Sequence, residues 1–247
     1  MIFAIATREF KALFASPLAW VVLALLQLTL AWVFLGRLDA YLKAQAQLAR
    51  MAGAPGLTEV IAAPVFGTTA VVFLMSVPLL TMRLIAEERR NRTLPLLFSS
   101  PVTMTQIVLG KYLGVMAFLL LAVGLATFMP LTLLAGGSLD FGLLAANVLG
   151  LALLTASFTA LGLFMSCLTA HPAVAAVAGF GCALMLWLLD AAAPDPDGIF
   201  AALSLLRHYE NFGKGLVDTF DLAYFLLFTA TFLALAVKRL DAERLGG

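Results

Sequence analysis

Long apolar runs broken by short polar ones set the rhythm of this chain. Leu18–Leu35, Val60–Met82, Tyr112–Ala135, Phe141–Leu168, Pro172–Leu189 and Leu222–Val237 each approach or exceed the roughly 20 mostly apolar residues that carry a helix across a bilayer. None alternates apolar and polar positions as a barrel strand does. Lipid offers no partner to backbone groups, so helices are predicted. Thr169, Ala170, His171 and Pro172 alone mark the join of the fourth and fifth runs, a tight hairpin. The last run is short and is predicted to begin near Asp221 or slightly before it. Six spans place both termini on one side, in an all-α polytopic membrane protein forming a single transmembrane domain over 1–247.

Composition strengthens this reading. Hydrophobic residues make up 63% of 247 positions, and mean hydropathy is +1.04, far above a soluble domain. A net charge of +1 gives no footing for nucleic acid. Cys167 and Cys182 lie in apolar runs without CxxC or Cys/His spacing and read as small core residues. Arg8, Glu9 and Lys11 interrupt the first apolar stretch, so no cleavable signal peptide is expected.

Charge orients the bundle. With a cytoplasmic N-terminus, Arg8, Lys11, Arg83, Arg89, Arg90, Arg92, Lys111, Lys238, Arg239 and Arg244 lie inside. Only Arg37, Lys43, Arg50, Arg207 and Lys214 then lie outside. The positive-inside rule therefore predicts both ends in the cytoplasm. Asp190, Asp195, Asp197, Glu210, Asp218 and Asp221 all fall in the outer segment 190–221.

The densest charge sits between the second and third spans, in the loop 83–111, where six of the ten residues Arg83–Arg92 are ionised. The spacing predicts pairs Arg83–Glu87 and Glu88–Arg92 along a short helix. Leu94, Leu97 and Phe98 supply an apolar edge, and Pro95 demands a first turn or a kink. Ser99, Ser100 and Pro101 end the segment, and Thr103 or Thr105 then caps a helix running through Ile107 and Leu109 into the third span. A compact knob of this kind suits docking to a soluble partner; the plainer alternative is a charged loop that only fixes topology.

The stretch EERRNRTLPLLFSSPVTMTQIVLGKYLG, Glu87–Gly114, resembles the loop after the second span in type-2 ABC exporter permeases. That loop carries the family's coupling helix, which seats in a groove of the ATPase. The resemblance implies docking through Glu87, Glu88, Arg89, Arg90, Asn91, Arg92, Thr93, Leu94, Leu97 and Phe98. Members commonly have Gly before the Thr and an acidic residue after the Leu; here Arg92 and Pro95 stand in those places. RHYENFGKGLVDTFDLAYFLLF, Arg207–Phe228, is similar to a narrower branch with gliding-motility-type permeases and the copper-maturation permease of nitrous oxide reductase. His208, Asn211, Phe212, Gly213, Gly215 and Asp218 mark that motif. The resemblance implies a separate ABC ATPase as partner, a second copy of the chain, a place in the bacterial inner membrane, and an extracytoplasmic accessory protein in some members.

The energy source is expected elsewhere. Gly110-Lys111 is followed by Tyr112, and position 105 is Thr, so no phosphate-binding loop is present. ATP and Mg²⁺ belong to the partner, and the chain itself is expected to be neither an enzyme nor a cofactor carrier.

Other features have plainer explanations beside functional ones. Gly110-x-x-x-Gly114 and Gly162-x-x-x-Ser166 let helices approach closely, within the chain or between copies. Thr155, Ser157 and Thr159 can bond their own helix, which leaves Gln27 and Asn147 as candidates for lining a pathway. Pro64, Pro78 and Pro130 would kink their spans. Residues 1–15 read as an interfacial helix with Phe3, Phe10, Leu13 and Phe14 opposite Arg8 and Lys11, with Glu9 spoiling the polarity. Over Gly198–Phe220, the spacing of Ile199, Phe200, Leu203 and Leu206 followed by Gly213 and Gly215 predicts an outer re-entrant or interfacial hairpin. A lone His208 points to packing there rather than metal, and His171 to a helix cap. A secondary transporter would need repeats and midplane ion groups, and an intramembrane enzyme a constellation at one depth; neither is evident. A mechanotransmission device on the same fold, moving no substrate, stays open beside an exporter.

Overall fold

A computed structural model of the protein describes residues 1–48, 56–94, 102–135, 139–190 and 198–246. Every described element is helical. Helix α1 spans Ile2–Ala15, α2 Pro17–Leu48, α3 Ala63–Thr81, α4 Ala86–Arg90 and α5 Met104–Leu131. Then follow α6 Phe141–Leu168, α7 Pro172–Leu188, α8 Ile199–Leu203, α9 Leu205–Gly213 and α10 Thr219–Gly246. A π-helical turn, Thr58–Ala62, leads into α3. Five stretches, in α2, α3, α5, α6 and α10, are long and apolar enough to cross a bilayer, while α7 has 17 residues. Helices outrun the apolar stretches that predicted them: α2 continues to Leu48 and α10 begins at Thr219.

Two helices make the middle of the bundle. In α6, 61% of the most apolar window is buried, and in α3 56%, against 28% in α2 and 17% in α10. Phe66, Phe73, Phe118 and Phe158 are fully enclosed. Trp20, Leu28, Trp32, Phe128, Val177 and Leu227 point outward. Such an apolar exterior is what a helix bundle offers to hydrocarbon rather than to water.

The glycine pairs have definite occupants. A Cβ on Gly110 would lie 2.7 Å from Ile5 Cβ, and one on Gly114 2.6 Å from Glu9 Cβ. The Gly110–Gly114 notch is thus where α1 lies against α5. Gly162 admits the Thr81 hydroxyl from the end of α3. Both small-residue patterns therefore serve packing within the chain. The prolines lie toward helix ends: Pro64 sits in the first turn of α3, and Pro78 and Pro130 lie inside α3 and α5 near their ends.

Two ends follow from these contacts. Glu9, Lys111, Arg89, Cys167 and Glu243 meet at one, so α1 and the C-terminal part of α10 share it; we call it the terminal end. At the opposite, distal end, Thr58 accepts a hydrogen bond from the Asp140 backbone N–H at 2.8 Å. Asp140 itself caps α6 through Gly142 and Leu143. Ile61, Leu133 and Leu139 form a small second core there, covered by Leu38 and Tyr41 of α2.

Candidate functional site

The charged loop is built as a bracket rather than a solvated knob. After Thr81 the chain leaves the α3 helix in a turn over residues 82–85 and re-forms as the single turn α4. Ser166 holds that turn: its hydroxyl accepts from the backbone N–H groups of Ile85 and Ala86, each at 3.0 Å, and donates to the Met82 carbonyl at 2.9 Å. These are orphan groups of a broken helix, and one side chain of α6 satisfies three of them.

The charges of α4 then point two ways. Glu88 and Arg89 turn inward. Lys111, 4% exposed, places its ammonium 2.7 Å from Glu9 and 2.8 Å from Glu88. One cation thus joins α1, α4 and α5. Arg89 donates to the Cys167 carbonyl at 2.7 Å and to both carboxylate oxygens of Glu243, each at 2.7 Å. Arg239 adds a contact to Glu243 at 3.1 Å. Charge-assisted bonds of this length are the strong ones, and Arg89 adds α6 and α10 to the bracket. Arg83, Glu87, Arg90 and Asn91 instead face outward.

The segment closes with a turn that explains the arginine before Thr93. The Thr93 N–H bonds the Glu88 carbonyl at 2.9 Å and the Arg92 N–H the Arg89 carbonyl at 3.2 Å. This pair of bonds is the Schellman ending of a helix, and its penultimate residue must be left-handed. Arg92 has φ 56°, the only non-glycine residue with positive φ among those described. The glycine common there in relatives by resemblance is the residue such a turn favours.

Several sequence expectations change here. Glu88 pairs with Lys111 instead of Arg92, because Arg92 has left the helix for the left-handed turn. Arg83 and Glu87 form no ion pair with each other among the described residues, since Arg83 lies in the turn before α4. Leu94 is 8% exposed and packs into the core, so its side chain faces inward rather than out. Leu97 and Phe98, with Ser99, Ser100 and Pro101, lie outside the described residues. Thr103 caps α5 reciprocally with Gln106, as one of the two predicted caps. Glu9 turns inward to Lys111, which removes the apparent flaw in α1; Phe10, Leu13 and Phe14 pack on the core while Phe3 is 82% exposed. His171 holds the N-cap position of α7 without a side-chain capping bond.

Of the pathway candidates, Asn147 is buried and donates to the Leu143 carbonyl of its own helix at 2.8 Å. Thr155 and Thr159 do likewise with Leu151 and Thr155. The Gln27 amide nitrogen and the Ser76 hydroxyl are buried without a partner among the described residues.

The distal motif is a second, drier cluster. His208 is 4% and Asp221 3% exposed. The His208 Nδ1 lies 2.5 Å from Asp221 Oδ1, its Nε2 3.0 Å from the Ala202 carbonyl, and Asn211 donates to Asp221 Oδ2 at 2.8 Å. Both ring nitrogens thus lie within hydrogen-bond distance of an acceptor oxygen. Tyr224 stacks on the ring at 4.0 Å and donates to the Leu203 carbonyl. Burial pushes the phenol of neighbouring Tyr209 upward. α9 ends at Gly213, with Gly215 at φ 79° in a Schellman turn of its own; Phe212 is fully buried, and Asp218 accepts from the Phe220 N–H.

Sequence reasoning missed Lys111, Ser166, Glu243 and Asp221 as partners. A signal existed for one of them: a lysine one turn from an apolar span, between two closely spaced glycines, needs an anion to stay there. Residues 3–212 match the family described as ABC-2 family transporter protein. No curated protein matches the chain.

Proposed function

The chain belongs to the ABC-2 transporter family, and from that footing we propose that it is the permease subunit of an ABC exporter, driven by a separate ATPase chain. It is a multi-pass membrane protein of a transport system. In this reading the terminal end faces the cytoplasm of a bacterial inner membrane, and α7 is a sixth span: its 17 residues extend about 26 Å, near the lower limit for crossing. The segment 82–94 with the residues after it is where the ATPase docks, and two copies of each chain make the working unit. ATP and Mg²⁺ are held by the ATPase. The Arg207–Phe228 motif supports the branch with gliding-motility-type and copper-maturation permeases, in which an extracytoplasmic accessory chain is a natural addition.

The observation that carries the reading is the bracket. A push on α4 reaches α5 and α1 through Lys111, α6 through Ser166 and Cys167, and α10 through Glu243. A loop that merely set topology would have no use for four such attachments. Docking at one point can thereby tilt several helices together, the rigid-body mode by which transporters alternate access. A second reading, mechanotransmission without a substrate path, is favoured by the way Asn147, Thr155 and Thr159 spend their polar groups on their own helix.

The test is copurification of the ATPase with the detergent-solubilised chain, wild type against Leu97→Asp/Phe98→Asp. The expected result is loss of the ATPase from a permease that still elutes as the wild type does. Undiminished association would remove the docking assignment and leave a loop that fixes topology.

A further inference from the structure

The outward charges of the bracket face a concave site of their own. Between α4 and the turn joining α6 to α7 lies an open cleft of about 480 Å³, lined among others by Arg83, Glu87, Arg90, Asn91, His171 and Pro172. Its charge is unbalanced: two guanidinium groups face one carboxylate. The side chains of Arg83 and Arg90 have no ion pair or hydrogen bond among the described residues, although that of Arg89, between them in sequence, has both. The neighbouring cleft beneath α1 differs, since Arg8 and Lys111 there meet Glu9, Glu87 and Glu88. Basic groups thus outnumber the acidic one in this cleft, where the neighbouring cleft has the reverse.

We infer that this cleft receives acidic side chains of the ATPase subunit. This rests on the permease reading above. Two arginines on one concave wall concentrate positive potential, and a guanidinium fork matches a carboxylate in a bidentate pair. The start of α7 opens on the same wall and adds the positive end of its dipole. One wall belongs to the bracket and the other to the α6–α7 hairpin. An acidic segment seated between them gives the ATPase a second hold, on α7, which the bonds of the bracket do not reach. Filling the cleft thus adds α7 to the helices that follow the stroke of α4.

The experiment uses the intact permease–ATPase complex in nanodiscs. Arg83→Glu/Arg90→Glu is expected to weaken ATPase binding by at least about tenfold and to flatten its dependence on salt. Arg90→Lys keeps the charge and supplies an amine. Treated with a carbodiimide, it is expected to give an amide link from position 90 to an Asp or Glu of the ATPase, located by mass spectrometry. If Leu97→Asp/Phe98→Asp abolishes binding while the charge reversal leaves affinity and salt dependence unchanged, the inference is overturned and the permease reading stands. If neither variant alters binding, the inference and the docking assignment both fall. Displacement of nothing but inorganic phosphate from the cleft, with no link at position 90, also overturns it by assigning the site to a free anion.

Discussion

The segments Ala86–Thr93 and Leu205–Leu216 solve one problem at opposite ends of the bundle. Each is a short helix stopped by the same pair of backbone bonds, to Glu88 and Arg89 in the first and to Asn211 and Phe212 in the second. Each is fixed by a side-chain bond to the last helix, Arg89–Glu243 and His208–Asp221. The resemblance ends with burial and reach. At the distal end the partners are 5% and 4% exposed in their side chains and 13 residues apart, enclosed by Phe220, Tyr224 and Phe225. At the terminal end they are 20% and 23% exposed and 154 residues apart. A dry local pair holds one conformation; half-wet bonds between distant segments can be remade at small cost when those segments shift. The difference teaches that the distal end is built to stay and the terminal end to move.

The largest effect is expected where water is most completely excluded. Asp221→Ala leaves His208 and Asn211 buried without their acceptor, a loss of about 3–5 kcal/mol. That corresponds to a fall of about 10 °C in the melting temperature of the detergent-solubilised protein. Asp221→Asn, which keeps shape and one acceptor, should fall between the two. A drop no greater than that seen at the terminal end would erase the contrast.

Lys111→Met is the matching change there. It leaves Glu9 and Glu88 facing each other, but their side chains are 20% and 21% exposed, against 5% and 4% for the distal pair, although Glu88 Oε2 is itself buried. A smaller cost follows, about 2 kcal/mol. Adding Glu88→Gln should restore part of it, since the two changes share one network. Proteolysis within α1 and the loop, followed alongside thermal melting, should show these segments loosening before the helices unfold. Simultaneous loss of both would mean that the terminal end is no more mobile than the rest.

How much of this could be read beforehand follows the range of the interactions. The spanning helices came from the length of the apolar runs, and the Thr103 cap and the Gly213–Gly215 break from local chemistry, because each is contained within one short stretch of chain. The bracket did not, since Lys111 lies 102 residues from Glu9 and Arg89 154 from Glu243. Charge counts predicted which end would be basic but treated its residues as equivalent. The geometry divides them into inward ties and outward arginines. Leu94 shows the same limit: an apolar residue in a polar loop reads equally well as an edge for a partner or a plug for the core, and only packing decides that it is buried.

The smallest effect is the sharpest test of the shared turn, because its sign should differ between the ends. Gly215, at φ 79°, needs no Cβ; Gly215→Ala forces a side chain into the left-handed region and brings it 3.1 Å from Leu143 Cδ1. It should cost about 1 kcal/mol. Arg92 already carries that strain at φ 56°, so Arg92→Gly should gain about 0.5–1 kcal/mol, a rise of a few degrees in melting temperature. The gain should survive in Lys111→Met, whose broken ion pairs do not involve the backbone of the turn. If Arg92→Gly instead lowers the melting temperature, the arginine side chain holds something worth more than the strain it bears, and the two turns are alike only in their bonds.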